Sequence, residues 1–308
     1  MIQIRELRVD YDNVCAVDDL TLAVEPGEVC GLIGPNGAGK TTTMKALLGL
    51  IEPTYGEIEV MGVDMRERPE DVYRIMGFMP DFPPVYEDLL VWEFLDLFAA
   101  SYGIPRHRWA AEVDRFLEIV GLSEKRKALV IELSRGMRQR LMLAKTLIPD
   151  PRVLLLDEPA SGVDPQGRID LKNILRRLAE EKRTVLISSH ILTEMDEFCT
   201  SVAIMERGRL VVGGRIKEVN RRIMGDTLIS VEVLGDPERF LSIVHASGKA
   251  GPVERKDRVY EFRFDGDQEA ASELLAALVH GGVRVASFER RRDNLEELFL
   301  KVGSKELS

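Results

Sequence analysis

Residues 34–42 read Gly-Pro-Asn-Gly-Ala-Gly-Lys-Thr-Thr. Within them, Gly34-x-x-x-x-Gly39-Lys40-Thr41 has the spacing of a phosphate-binding loop. Such a loop constrains a fold strongly, because it works only between a strand and the first turn of a helix. Both flanks are present. The apolar run Val29-Cys30-Gly31-Leu32-Ile33 precedes the loop, and the helix-like run Met44-Lys45-Ala46-Leu47-Leu48 follows it. The glycines let the backbone curl until successive N–H groups face one anion, and the helix start adds the positive end of its dipole. Asn36, Gly37, Ala38, Gly39, Lys40, Thr41 and Thr42 are thus the candidate nucleotide-binding set. In this loop type the lysine (Lys40) bridges the β- and γ-phosphates, and the threonine hydroxyl (Thr41) ligates Mg²⁺.

The strands around the loop fall into two kinds. Ile2/Ile4, Leu7/Val9 and Leu20/Leu22/Val24 alternate with polar residues, the period of half-buried antiparallel strands. Glu57–Val60, after the turn Pro53-Thr54-Tyr55-Gly56, continues that pattern. Val153–Leu156, Thr184–Ser188 and Val202–Met205 are apolar on both faces, as in the middle of a parallel sheet covered by helices such as Ile169 to Glu181. A nucleotide site is expected at the carboxyl ends of those strands. Residues 82 to 150 read as helical, with stripes Leu95/Phe98/Ala99 and Val113/Phe116/Leu117/Val120. Trp92 and Phe94 are assigned to packing. Beyond a linker containing Arg221, Arg222, Gly225 and Asp226, the order becomes β-α-β-β-α-β. This is the split-βαβ, ferredoxin-like arrangement, and a last amphipathic helix is expected over Leu295–Val302. The expected fold class is therefore α/β: a P-loop NTPase with an antiparallel β subdomain and a helical insert, plus a small α+β ferredoxin-like C-terminal domain.

Composition excludes several classes. The 308 residues carry a net charge of −10, which argues against a nucleic-acid binder that works by neutralising phosphates. The longest apolar stretch, Leu89 to Ile104, is broken by Glu93 and Asp96, so no membrane span is expected. The N-terminus lacks the apolar core of a signal peptide, and a cytosolic location is expected. The three cysteines, Cys15, Cys30 and Cys199, are scattered and imply neither a disulfide framework nor a metal site.

Two further segments bear on chemistry. Val153-Leu154-Leu155-Leu156-Asp157-Glu158 is an apolar strand ending in two acids. Beside a phosphate loop, Asp157 is placed to hold Mg²⁺ through water and Glu158 to polarise an attacking water, a pairing that means nucleotide hydrolysis. Ser134 is a natural N-cap for the helix Arg138–Leu147; taken alone, it is either a plain cap or an anion site.

Taken in order, the phosphate loop, Leu133-Ser134-x-Gly136, Leu154-Leu155-Leu156-Asp157-Glu158-Pro159, Ser161-Gly162-Val163-Asp164 and Ser188-Ser189-His190 resemble the ATP-binding subunit of ABC transporters, over roughly residues 1–215. The resemblance implies domains at 1–219 (nucleotide binding, helical subdomain at about 82–150) and 220–308 (accessory). It implies ATP and Mg²⁺ as cofactors and a dimer, a homodimer in the simplest case, that sandwiches two ATP molecules. Ser134 and Gly136 match the signature that caps the γ-phosphate held by the other subunit. Asp164 matches the loop that crosses the dimer, His190 the switch histidine at the γ-phosphate, and Tyr11 either the aromatic that stacks on adenine or an ordinary strand-end tyrosine. Glu158, His190 and Lys40 are the implied catalytic residues. Thr41, Asp157 and Asp81 are the implied metal ligands.

The chain departs from the family pattern at two places. Asp81 stands where the family usually has Gln, keeping an oxygen ligand on a shorter arm. In the signature, Arg135 and Met137 replace the commoner Gly and Gln; Arg135 either adds positive charge near phosphate or faces solvent. Phe82-Pro83-Pro84-Val85-Tyr86 matches the border of the groove that grips a membrane subunit's coupling helix. One cassette followed by a small C-terminal domain resembles export-type subunits, which sit on the cytoplasmic face of the membrane with a separate ABC-2 type permease. The alternative is a soluble ATPase of the same fold acting on non-membrane partners. A regulatory module without turnover is a third reading, opposed by the intact Lys40, Asp157 and Glu158. The C-terminal module is expected to be regulatory or to make dimer contacts.

Overall fold

The computed structural model describes residues 1–12, 14–81, 85–190, 195, 198–216, 218–219, 227–266 and 268–291. Phe82–Pro84, the linker residues 220–226 and the expected helix Leu295–Val302 lie outside the described residues. The chain divides into two units, Met1–Ile216 and Lys217–Ser308.

The first unit begins with strands β1 (Ile2–Tyr11) and β2 (Val14–Val24), paired antiparallel. Their sequences hold a physical conflict. Apolar residues alternate, but Ile4 to Leu7 and Val17 to Leu20 are steps of three, which would turn the next side chain outward. The chain resolves this with bulges: Glu6 (φ 48°) and Asp19 (φ 56°) adopt left-handed backbone and face solvent, and the pairing register shifts between Ile4 and Leu7. Ile2, Ile4, Leu7, Val17 and Leu20 all remain buried. Strands β4 (Tyr55–Val60) and β5 (Val63–Asp64) complete this sheet in the order β2-β1-β4-β5.

The second sheet runs β10-β9-β3-β8-β7-β6, from β3 (Val29–Ile33), β6 (Met76–Met79), β7 (Val153–Asp157), β8 (Thr184–Ser189), β9 (Ser201–Glu206) and β10 (Arg209–Arg215). β9-β3-β8-β7-β6 are parallel, and β10 closes one edge antiparallel to β9. The strands apolar on both faces are indeed the inner ones: every residue of β3 and β8 is buried. Helix α1 (Lys40–Leu47) leaves the phosphate loop, α2 (Pro69–Ile75) leads into β6, and α6 (Pro165–Glu180) connects β7 to β8. Between β6 and β7 come α3 (Val91–Ser101), α4 (Trp109–Ile119) and α5 (Arg135–Leu147). Phe94, Leu95, Phe116, Leu117 and Leu141 are buried, and the Phe94 and Phe98 rings lie 5.0 Å apart. Trp92 is only half-buried, with the Arg126 guanidinium 5.7 Å from its ring.

In the second unit, β11 (Thr227–Val233), α7 (Pro237–Ala246), β12 (Ala250–Lys256), β13 (Val259–Phe264), α8 (Gln268–His280) and β14 (Val285–Arg291) follow in the expected β-α-β-β-α-β order. The sheet order β12-β13-β11-β14, antiparallel throughout, splits β11 from β12 by one strand, as a ferredoxin-like unit requires. Its core is its own: Ile229, Val231, Tyr260, Phe262 and Phe264 pack with Phe240, Val244, Leu274 and Leu278.

Candidate active site

The parallel register aligns the carboxyl ends of four strands. Ile33 pairs with Ser189, Ser188 with Asp157, and Leu156 with Met79. The residues just past these ends therefore come side by side: Gly34 after β3, His190 after β8, Glu158 after β7 and Asp81 after β6. His190, Glu158 and Asp81 border a cleft of about 580 Å³. Tyr11, Asn36, Gly37, Ala38, Gly39, Lys40, Thr41, Thr42, Asp81, Asp157, Glu158 and His190 all line it. Ser134, Gly136 and Asp164 do not.

The loop is shaped by what its glycines permit. Gly39, the N-cap of α1, has φ 98°, and a Cβ there would lie 2.5 Å from the Ala16 carbonyl oxygen. At Gly34 a Cβ would lie 2.4 Å from the Met205 carbonyl oxygen. Both positions demand the absence of a side chain. Ala38 N–H donates to Pro35 O (3.1 Å) and Thr43 N–H to Gly39 O (2.8 Å), which fixes the curl and starts the helix. Lys40 is buried, with Nζ donating to the Gly34 and Pro35 carbonyls at 2.7 and 3.2 Å. Burial pulls its pKa down, against the opposing pull of Glu158 and Asp157. Tyr11, at the end of β1, is 42% exposed.

The acids are held individually. The Ser188 hydroxyl donates to Asp157 Oδ1. Glu158 has a left-handed backbone (φ 48°), and its N–H donates to Ser188 O and Oγ at 3.2 and 3.1 Å. Strained backbone of this kind clusters at functional sites. Its carboxylate lies 2.9 Å from His190 Nδ1. Asp81 Oδ1 is buried without a hydrogen-bond partner. Burial raises the Asp81 pKa, Glu158 and Asp157 raise it further, and Arg135 and His190 act against them. Among the described residues, no group of three His, Cys, Asp or Glu side chains is arranged to hold a metal ion unaided.

Ser134 and Asp164 act as helix caps. Ser134 Oγ accepts from Met137 N–H at 3.3 Å at the start of α5, and Asp164 Oδ1 accepts from Gly167 N–H at 3.1 Å at the start of α6. The two caps are neighbours, since a Cβ on Gly136 would lie 3.6 Å from Asp164 Oδ1. Sequence reasoning assigned no role to Ser188 or to Ser161, which also lines the cleft. The serine pair before His190 was a signal for the first; the left-handed turn at Glu158 left no trace in residue type.

Comparison with known proteins agrees with this geometry. Residues 17–161 match the family model described as ABC transporter, and residues 214–302 match that of the ATP-binding protein DrrA1-3-like, C-terminal domain. The Nod factor export ATP-binding protein I of Cupriavidus metallidurans is 34% identical over 307 residues, covering 100% of this chain and 98% of its own. An uncharacterized ABC transporter ATP-binding protein of Bacillus subtilis, YxlF, is 32% identical over 98% of this chain and 99% of its own. A solved ATP-binding subunit of an ABC transporter superposes with TM-score 0.65 at 30% identity, over 73% of this chain and 93% of that one. CbiO1 of Clostridium perfringens, part of the transporter complex cbiONQ, also gives 0.65, at 25% identity over 72% and 93%. The chain belongs to the ATP-binding proteins of ABC transporters, a family whose P-loop domain binds and hydrolyses ATP and whose members work with membrane permeases.

Proposed function

We propose that this chain powers an exporter, as one of two identical ATPase subunits on the cytoplasmic face of a separate ABC-2 type permease. The observation that carries the export reading is the full-length similarity to proteins named for Nod factor export, joined to a C-terminal segment of the DrrA-like type. Among the described residues no helix is long and apolar enough to cross a membrane, and this reading assigns the translocation path to a partner.

Within the cleft, Tyr11 stacks on adenine, while Asn36 to Thr42 and Lys40 bind the phosphates. Glu158 orients the attacking water, and the 2.9 Å contact to His190 Nδ1 fixes the direction of its carboxylate. His190 in turn reads the γ-phosphate. Ser134, Gly136 and Asp164, absent from the cleft of their own subunit, serve the partner's nucleotide, which makes the dimer a chemical necessity.

The donor set fits Mg²⁺. Asp81 offers a buried oxygen without a partner, and Thr41 and Asp157 add hard oxygens. Because the protein oxygens do not form a closed cage, the phosphates would complete the coordination, as Mg²⁺ commonly requires. Bound there, Mg²⁺ would supply neutralisation of phosphate charge.

The test is co-purification from detergent-solubilised native membranes with ATP, using Glu158→Gln to hold the closed dimer. A multi-span membrane protein in stoichiometric amount is the expected result. Recovery of cytosolic partners alone would favour a soluble ATPase of the same fold.

A further inference from the structure

The loop that carries Glu158 lies against the side chain of Arg135, which is not among the residues lining the cleft. It turns twice within a few residues: Ser161 N–H donates to Glu158 O at 3.0 Å, and Val163 N–H donates to Ala160 O at 3.2 Å. Glu158 and Gly162 both adopt left-handed backbone, φ 48° and 63°. The loop is thus short and internally hydrogen-bonded, and a shift at Gly162 passes through Ser161 to Glu158. Against Gly162 lies Arg135, the first residue of α5. A Cβ built on Gly162 would stand 2.4 Å from Arg135 Cζ, 2.5 Å from Nη1 and 2.8 Å from Nε. The guanidinium Cζ, Nη1 and Nε therefore cover the spot where any other residue would place a side chain.

We infer that Arg135 is a positioning residue for hydrolysis: its guanidinium, laid over Gly162, fixes the turn that aims Glu158 and ties it to the N-terminal end of α5. The inference rests on Glu158 acting at the nucleotide. Three features support it. Arg135 follows the Ser134 cap directly, so any displacement of that helix end moves the guanidinium. The next residue, Gly136, abuts Val163 and Asp164, so α5 touches the same loop at a second point. Arg135 also lies near enough to the cleft to act electrostatically on Asp81. A guanidinium suits the task because it is flat and rigid; the ammonium of lysine is a point charge on a flexible stem.

The experiment is a double-variant cycle on the full chain: Arg135→Ala, Gly162→Ala and both together. Steady-state ATPase gives kcat and KM, and a fluorescent ATP analogue gives Kd. Arg135→Ala should lower kcat about tenfold while Kd stays within about twofold, because the aim of Glu158 is lost and the phosphate loop is untouched. Arg135→Lys should recover only a minor part of the loss. Gly162→Ala displaces the guanidinium, so the double variant should be no slower than the slower single one. A wild-type kcat for Arg135→Ala, an equal loss in Kd, or losses that multiply in the double variant would each overturn the inference. Arg135 is exposed, so its variants should fold and decide the matter even where Gly162→Ala does not. A wild-type protein whose ATPase is unaffected by Glu158→Gln would instead refute the role given to Glu158.

Discussion

Asp81 and Glu158 are both carboxylates in the cleft, yet their surroundings assign them opposite behaviour. Glu158 is held by Ser188 at its backbone and by His190 at its carboxylate. Exchange for Gln keeps the size and the backbone but removes the charge that orients water. Glu158→Gln should therefore cut kcat by at least about 10²-fold, with ATP affinity changed only a few-fold; loss of affinity equal to the loss of kcat would contradict this. Asp81 carries an oxygen without a partner, and its pKa is raised by burial and by its two acidic neighbours. An amide at this position removes one of three like charges. Asp81→Asn should raise the melting temperature of the nucleotide-free protein by roughly 1–3 °C and increase the Mg²⁺ concentration for half-maximal ATPase several-fold. A lower melting temperature, or an unchanged Mg²⁺ requirement, would count against a ligand role for Asp81.

Much of this was legible in the elements. The loop spacing, the doubly apolar strands and the acids ending β7 located the cleft, because a parallel sheet leaves few places for residues that follow its strands. The helix α2 and the short strand β6 were not foreseen: Pro69–Ile75 has one buried residue, and Met76–Met79 is too short to show a period. The bulges at Glu6 and Asp19 were hidden for another reason. A three-residue step between apolar positions suits a helix as well as a bulged strand, and only pairing with β4 and the partner strand decides. The inward-facing β3 makes its own prediction. Cys30 is fully buried, and its thiol pKa is pushed up to about 12. Unfolding releases it to about 8.5, so the neutral thiol's contribution is intact below that pH and fades as pH rises toward 12. From about pH 9 upward, wild type should lose roughly 1.4 kcal/mol per pH unit relative to Cys30→Ala in urea unfolding. Parallel pH profiles for the two proteins would exclude it. The same strand is followed directly by Gly34, where a Cβ would meet the Met205 carbonyl. Gly34→Ala should destabilise by about 2 kcal/mol and impair nucleotide binding together, since one close approach serves both.

At the scale of the whole chain, the two units keep separate accounts of burial. The first buries Ile4, Leu32, Leu155 and Leu186 in its core, the second Phe240, Tyr260 and Phe262 in another. The described residues that line the nucleotide cleft belong to Met1–Ile216. The second unit offers a sheet and two helices without any cluster of three metal-ligating side chains among its described residues. A role in regulation or dimer contact is the expectation for this unit, and it makes a prediction. A chain ending at Ile216 should fold cooperatively and bind a fluorescent ATP analogue within about threefold of the full chain, because no cleft residue is removed. Its dimer population with Glu158→Gln and ATP, measured by sedimentation, should fall, or its ATPase should lose the dependence on protein concentration shown by the full chain. Loss of ATP binding in a folded truncated chain would mean that the cleft depends on residues beyond 216. Unchanged dimerisation and unchanged turnover would deny the second unit both roles and move the search for its purpose to the permease.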